Sequence, residues 1–321
     1  MLSRVGDNLY WMSRYLERAE NTARLVDVYL DLGLEETRGS TPGARWERLV
    51  SALHVPAKAD DIRDEYSVTQ FLAFDSKNTN SIVVCVANGR ENARQVREKI
   101  SSEMWMQVNR QYLDVRNTSM SRIWNEQPHE FFRAVKEGVH LFQGITDSTM
   151  VRDEGWQFIQ LGRYLQRAIN IANLLDEYLT TFPLTRYTNN MAMDDYFEWL
   201  GLLKCFTAFE AYCKVYHADL LPRRIIEFVA FNPEFPHSIR FCVEMLQTAL
   251  QAISDATGVH KNSRSQRLAG RLRSKLLYDQ VDDLAARGAH DYLDDIKQQC
   301  LQIHDAIYET YVDYPVEAAL T

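Results

Sequence analysis

One piece of text occurs twice in this chain, and both occurrences read as helix. Arg14-Tyr-Leu-Glu17-Arg18-Ala-Glu20-Asn21-Thr-Ala-Arg24 returns as Arg163-Tyr-Leu-Gln166-Arg167-Ala-Ile-Asn170-Ile-Ala-Asn173. Around the first copy, Val5, Leu9, Met12, Leu16, Ala19, Ala23, Val26 and Leu30 alternate steps of four and three. That is the seam of a helix packed on another helix, and it predicts a helix from Met1 to about Gly33. Tyr10, Arg14, Glu17, Asn21 and Arg24 fall on a second face, and Trp11, Tyr15, Arg18, Thr22 and Tyr29 on a third. No face reads as plain solvent, so the charges are expected to be partly buried, and buried charges must be paired.

The repetition extends well beyond one helix. Gly155 to Leu179 follows Gly6 to Leu30 at an offset of 149. Trp199 follows Trp46 at 153, and Phe228 to Phe231, with Ser238, Ile239, Cys242 and Val243, follow Phe71 to Phe74 and Ser81, Ile82, Cys85 and Val86 at 157. Matches in one order with a slowly rising offset indicate a tandem duplication. Strand-like alternation is nearly absent, and 13 Gly and 8 Pro sit mostly between long segments of helical period. The expected fold is all-α, a multi-helix bundle of two tandem, similar halves, 1–147 and 148–321, packed as one unit. Their first helices are expected to meet near a pseudo-two-fold axis.

Elsewhere the pattern predicts a loop over Glu35 to Gly43 and a short helix from about Ala44 to Leu53. Ser81 is placed as N-cap of a long helix from Ile82 to about Val108. Further helices are expected to about Arg122, from Pro128 to Gly144, from Arg264 to Arg287 and from Ala289 to Tyr314. The strip Phe206, Phe209, Tyr212 and Tyr216 reads as core or as partner interface.

The copies differ in their charges. Glu17, Glu20 and Arg24 stand where the second copy has Gln166, Ile169 and Asn173, while Arg90, Glu91, Asn92 and Arg94 stand against Gln247, Thr248, Ala249 and Gln251. A single site would therefore lie in the first half, on Arg14, Glu17, Arg18, Glu20, Asn21 and Arg24 of the first helix, with Asn80, Arg90, Glu91, Asn92 and Arg94. The arginines suit forked contacts to an anionic or zwitterionic group. The alternative is a set of ordinary i,i+3 and i,i+4 pairs, each contributing only a few tenths of a kcal/mol.

Other chemistries are poorly represented. Neither a P-loop nor G-x-G-x-x-G is present, nor a G-x-S-x-G elbow. The Glu-x-x-His spacings Glu137/His140 and Glu234/His237 evoke a di-iron bundle, but the second lies between Pro233 and Pro236, which breaks the helical spacing; no metal and no cofactor is expected. A net charge of −8 gives no basic footprint for nucleic acid. No apolar run reaches the roughly 18–20 residues that span a bilayer. The start lacks a signal-peptide core. Five cysteines without a Cys-x-x-Cys pair fit reduced thiols, so a cytoplasmic location is expected.

Leu2-Ser-Arg-Val5, Asn8-Leu-Tyr-Trp11 and the run Arg14 to Arg24 resemble the bacterial alpha-E domain family, an all-helical domain with a recurring Glu-Arg motif. Asn80-Ser-Ile82, Arg90 to Arg94, Val96-Arg-Glu98, Glu103-Met-Trp105, Gly162 to Arg167 and Pro233 to Pro236 continue the likeness over nearly the whole chain. Gln166 departs from it, since the family tends to have Glu there. The resemblance implies association with a circularly permuted ATP-grasp protein and with transglutaminase-like peptidases, in systems that make or modify amide bonds. It supplies no catalytic residue. The chain is accordingly expected to be an accessory subunit of such a ligase system. The alternatives are an enzyme with Glu17 or Glu91 as general acid/base beside Arg18 and Arg94, or a structural assembly protein, self-association included.

Overall fold

The computed structural model describes residues 3–34, 42–187, 193–217, 219–258 and 263–312. All regular structure among them is helical, and no strand is present. In order these are α1 Ser3–Leu34, α2 Pro42–Ala52, α3 Glu65–Ala73, α4 Ile82–Gln95, α5 Ser102–Arg116, α6 Met120–Asn125 and α7 Pro128–Thr149. Then come α8 Glu154–Thr181, α9 Met193–Cys205, α10 Phe209–Tyr216, α11 Pro222–Ile226, α12 Ile239–Thr257, α13 Arg264–Tyr278, α14 Val281–Arg287 and α15 Ala289–Ile307. Most of the loop expected over Glu35 to Gly43 lies outside the described residues.

The apolar stripe of α1 is the inside of the molecule. Leu9, Met12, Ala19, Ala23 and Val26 are fully buried, and Leu16 nearly so. Helix α1 packs against α8, α4 and α7, while α8 packs against α1, α12 and α15, so α1 and α8 form the centre of the bundle. They run side by side in the same direction, with Leu9 beside Gly155 and Ser13 beside Gly162. The approach at Gly162 is so close that a Cβ there would lie 2.3 Å from both Ser13 Oγ and the Tyr10 carbonyl oxygen. One contiguous apolar core includes residues from both ends of the chain, from Leu9 to Ile307.

Two like clamps fasten the outer helices to the central pair. Asp27 on α1 takes Lys136 at 2.5 Å and His129 at 2.7 Å, both from α7. Asp176 on α8 takes Lys297 at 2.7 Å and His290 at 3.0 Å, both from α15. Phe206 and Tyr212 are buried, placing these two members of the aromatic strip in the core, while Phe209 and Tyr216 are half-buried.

The expected helix over Ile82 to Val108 is two. Helix α4 ends at Gln95, Val96 has left helical geometry (φ −120°, ψ 23°), and Ser101 caps α5 by accepting from the Met104 amide. The helix expected over Arg264 to Arg287 likewise divides, because Asp279 adopts extended backbone (ψ 150°). Ser81 does stand at the N-cap of α4, but its hydroxyl donates to the Asp75 carbonyl rather than capping the helix.

Candidate functional site

Parallel helices in close contact normally meet through small and apolar side chains, and α1 and α8 do so at Ser13 and Gly162. One turn further on, their facing surfaces carry charge. Arg14, Glu17, Glu20, Arg24 and Arg167 are all buried, each less than a tenth exposed. Removing them from water is costly unless each finds a partner, so the partners define what the seam can do.

On one side of the seam the charges close on each other. Arg167 holds the Glu17 carboxylate in a fork, Nε at 2.5 Å and Nη2 at 3.0 Å, and its third nitrogen donates to the Pro236 carbonyl at 3.3 Å. Glu20 is paired with Arg24 and approached by His140 Nε2 at 3.5 Å. Burial pushes the Glu20 carboxyl upward, but Arg24 and the His140 hydrogen bond outweigh it and hold the group below the usual carboxylate range. His237 lies half-buried beside them, its proton affinity well below the ordinary value through desolvation first and the positive charge of Arg167 second.

On the other side they do not close. Arg14 Nε and Arg18 Nε both donate to the same atom, Gln166 Oε1, each at 3.0 Å. Arg14 also reaches Tyr10 Oη at 3.1 Å and His304 Nδ1 at 3.2 Å, and lies 4.7 Å over the Trp11 ring. Burial and the Arg14 charge bring His304 down to about 4, so its Nδ1 is free to accept. Arg18 extends to Asn80 Oδ1 at 3.4 Å, and burial, reinforced by repulsion from Arg14, lowers its affinity for its proton. Among the described residues no carboxylate lies within 4.0 Å of either guanidinium.

Arg14 and Arg18 line a cleft of about 220 Å³ together with Asn21, Thr22, Asn80, Gln166, Asn170 and Asn173, and with His54 and the apolar Leu53, Ile169 and Leu301. Gln166 Nε2 donates to Asn170 Oδ1 at 2.9 Å, and the Asn170 Nδ2 amide is buried without a partner.

Of the sequence candidates, the structure gathers Arg14, Arg18, Asn21 and Asn80 around this cleft, and Glu17, Glu20 and Arg24 into the closed network beside it. Arg90, Glu91, Asn92 and Arg94 join neither. Arg90 donates to Asn109 of α5 and sits between the Trp105 and Tyr112 rings, and Asn92 bonds its own helix at Asn88. Glu91 is half-exposed in an ion pair with Arg94 at 2.6 Å, and hydrogen bonds from Arg94 and Gln95 hold its carboxyl down, to about 2. Such a group stays ionised near neutrality and is poorly placed to donate a proton.

Sequence reasoning missed Asn170 and Asn173 as parts of the cleft, His304 as a partner of Arg14, and Arg167 as the partner of Glu17. The repeat contained a signal for the last, since Gln166-Arg167 is the second-copy text of Glu17-Arg18. Among the described residues no cluster of His, Cys, Asp and Glu is arranged to hold a metal ion. His140 turns to Glu20 instead, and Glu137 stands exposed near Arg133.

An all-helical bundle whose two central helices meet through a Glu-Arg pair defines a class of domain. The chain belongs to the Alpha-E family, described as a predicted alpha-helical domain with a conserved ER motif, which matches residues 1–312. The chain has such a dipeptide at Glu17-Arg18 and at Glu47-Arg48; the members of the first part company, Glu17 going to Arg167 and Arg18 to Gln166. The chain is also similar to uncharacterized proteins of Mycobacterium bovis and Mycobacterium tuberculosis, at 22% identity over 95% of its own length. It spans 35% of the length of those relatives. No solved structure matches it.

Proposed function

We propose that this chain is a helical binding subunit that serves an ATP-grasp ligase of the amide-forming kind, presenting an anionic or peptidyl group held at the α1–α8 seam. The observation that carries this reading is the charge of the seam. Among the described residues, Arg14, Arg18, Arg24, Arg163 and Arg167 gather at it, with Glu17 and Glu20 buried against them and Asp147 acting on Arg163, in a chain whose net charge is −8. Such a local excess of guanidinium calls for an anion from outside. The longer length of the mycobacterial relatives leaves room for a fused partner. A transglutaminase-like peptidase is the second partner the family likeness suggests, and a cytoplasmic location goes with the reading.

The test is to purify the chain with and without a circularly permuted ATP-grasp partner and measure amino-acid-dependent ATP turnover. The reading expects the chain to stimulate turnover and Arg18→Ala to reduce that stimulation. Turnover by the partner that is the same with and without the chain would overturn it.

The same proposal takes the bundle as two copies of one unit, residues 1–147 and 148–321. Corresponding contacts support it. Tyr29 meets Trp46 at 5.9 Å between ring centres and Tyr178 meets Trp199 at 6.4 Å. The Cys85 thiol points at the Thr79 carbonyl (3.9 Å), as the Cys242 thiol does at that of Pro236 (3.7 Å). The Asp27 and Asp176 clamps correspond in the same way.

A further inference from the structure

We infer that the cleft over Arg14 and Arg18 is a recognition site for the free carboxylate of a small amide-bearing ligand, an amino acid derivative or short peptide, and that Gln166 keeps it open. The inference deepens the binding role proposed above and rests on it for its biological meaning, although the binding itself is separately measurable.

Charge is the first ground. Two guanidinium groups whose Nε atoms converge on one oxygen repel each other, and that oxygen belongs to a neutral amide. Across the seam the comparable place is held by the Glu17 carboxylate, which Arg167 grips through two nitrogens. An internal carboxylate thus satisfies one side, whereas Gln166 has the same shape without the charge. The side with Gln166 is also the side with the cleft.

Unused hydrogen-bonding capacity is the second ground. Gln166 Oε1 is occupied by two donors and its Nε2 by Asn170, leaving Asn170 Nδ2 buried and unpartnered in the cleft lining. The Asn170 side chain would have to turn towards the cleft for a ligand oxygen to satisfy it. The arginines present planar forks, which match a planar carboxylate in two parallel hydrogen bonds.

The remaining lining selects what is attached to the carboxylate. Asn21, Asn80, Gln166, Asn170 and Asn173 are carboxamides, each offering acceptor and donor together. A peptide bond carries both; inorganic phosphate offers chiefly acceptors. A volume of about 220 Å³ is below the ~300–1,000 Å³ of pockets for drug-sized ligands, which limits the ligand to about a dipeptide.

Isothermal titration calorimetry on the full chain tests this with Ala-Ala, its C-terminal amide, N-acetylalanine and inorganic phosphate. Ala-Ala or N-acetylalanine is expected to bind, and the amide at least ~10-fold more weakly, the loss of one charge-assisted contact. Whether Ala-Ala or N-acetylalanine binds more tightly distinguishes a peptide C-terminus from an acylated amino acid, and either order supports the site. Gln166→Glu, which supplies an internal carboxylate, is expected to abolish binding while leaving thermal stability unchanged or higher. Arg18→Gln, at a half-buried position, gives an independent loss if Gln166→Glu does not fold. Equal binding of peptide and amide, tighter binding of phosphate, no binding at millimolar concentration, or full binding by Gln166→Glu would each overturn the inference. If ATP turnover by the partner still responds to a chain that binds no carboxylate, the cleft assignment falls and the accessory role stands; the converse result separates them the other way.

Discussion

Arg167 Nε lies 2.5 Å from Glu17 Oε1, joining the two central helices through a pair of which neither member is more than a twentieth exposed. The adjacent residues Arg18 and Gln166 also join the helices, at 3.0 Å, but with one charge instead of two. The difference between a closed and an open half of the seam therefore lies in a single atom substitution, carboxylate oxygen for amide nitrogen.

Glu17→Gln should destabilise the fold strongly. It leaves Arg167 buried without its counter-charge, a defect of ~3–5 kcal/mol. Urea unfolding followed by circular dichroism should show the midpoint drop, whereas Gln166→Glu should not lower it. Similar midpoints for Glu17→Gln and wild type would mean that the Glu17–Arg167 pair contributes little.

Gly162→Ala should lose ~1–3 kcal/mol through overpacking, because the added methyl meets a backbone carbonyl that cannot turn aside. Gly144→Ala is the control. Nothing lies within 4 Å of a Cβ there, in the interior of α7, so a gain of ~0.5–1 kcal/mol is expected. Thermal melts of the two variants should move in opposite directions.

Acid should weaken the bundle partly through His304. Its affinity for a proton falls from the ordinary 6.5 to about 4 in the folded chain, through burial first and the Arg14 charge second. The unfolded chain therefore takes up a proton that the folded one refuses. Stability from this source is complete above pH 6.5 and declines as pH falls towards about 4. His304→Gln should flatten that part of the profile of unfolding free energy against pH. An unchanged slope would assign it to other groups, the half-buried His237 first among them.

Glu91→Gln should change little. The Glu91–Arg94 pair is about half exposed on both sides, and such pairs contribute ~0–1 kcal/mol. Stability and any stimulation of an ATP-grasp partner should stay close to wild type; a collapse of the latter would restore Glu91 as a functional group.

The local features of this protein were legible because they depend on spacing. The stripe from Leu9 to Val26 has a period of three and four, and burial follows from that period alone. The break between α4 and α5 was hidden because Ala93, Val96 and Ile100 continue an apolar spacing through it, and only the Ser101 cap marks it. The departure at Gln166 was equally visible as a letter. Its meaning was not, because that depends on Gln166 lying against Arg14 and Arg18, which are about 150 residues away. His304 was out of reach for the same reason: it meets Tyr10 and Arg14 from the opposite end of the chain.

Because α1 and α8 point the same way, their helix dipoles add instead of cancelling each other, and the central pair has an electrical polarity, which the antiparallel α7 and α15 oppose from outside. The side chains at its two ends answer that polarity. Asp153 caps the start of α8, and Asp7 lies near the start of α1, bonded to Tyr308. At the far end Arg45 donates to the Leu32 carbonyl in the last turn of α1 at 3.0 Å, and Arg48 lies 4.6 Å over Tyr178. Acidic groups thus sit at the positive pole of the central pair, and at its negative pole sit two guanidinium groups that share the buried Glu198 carboxylate. Salt that screens those groups should loosen the ends of the central helices before the middle.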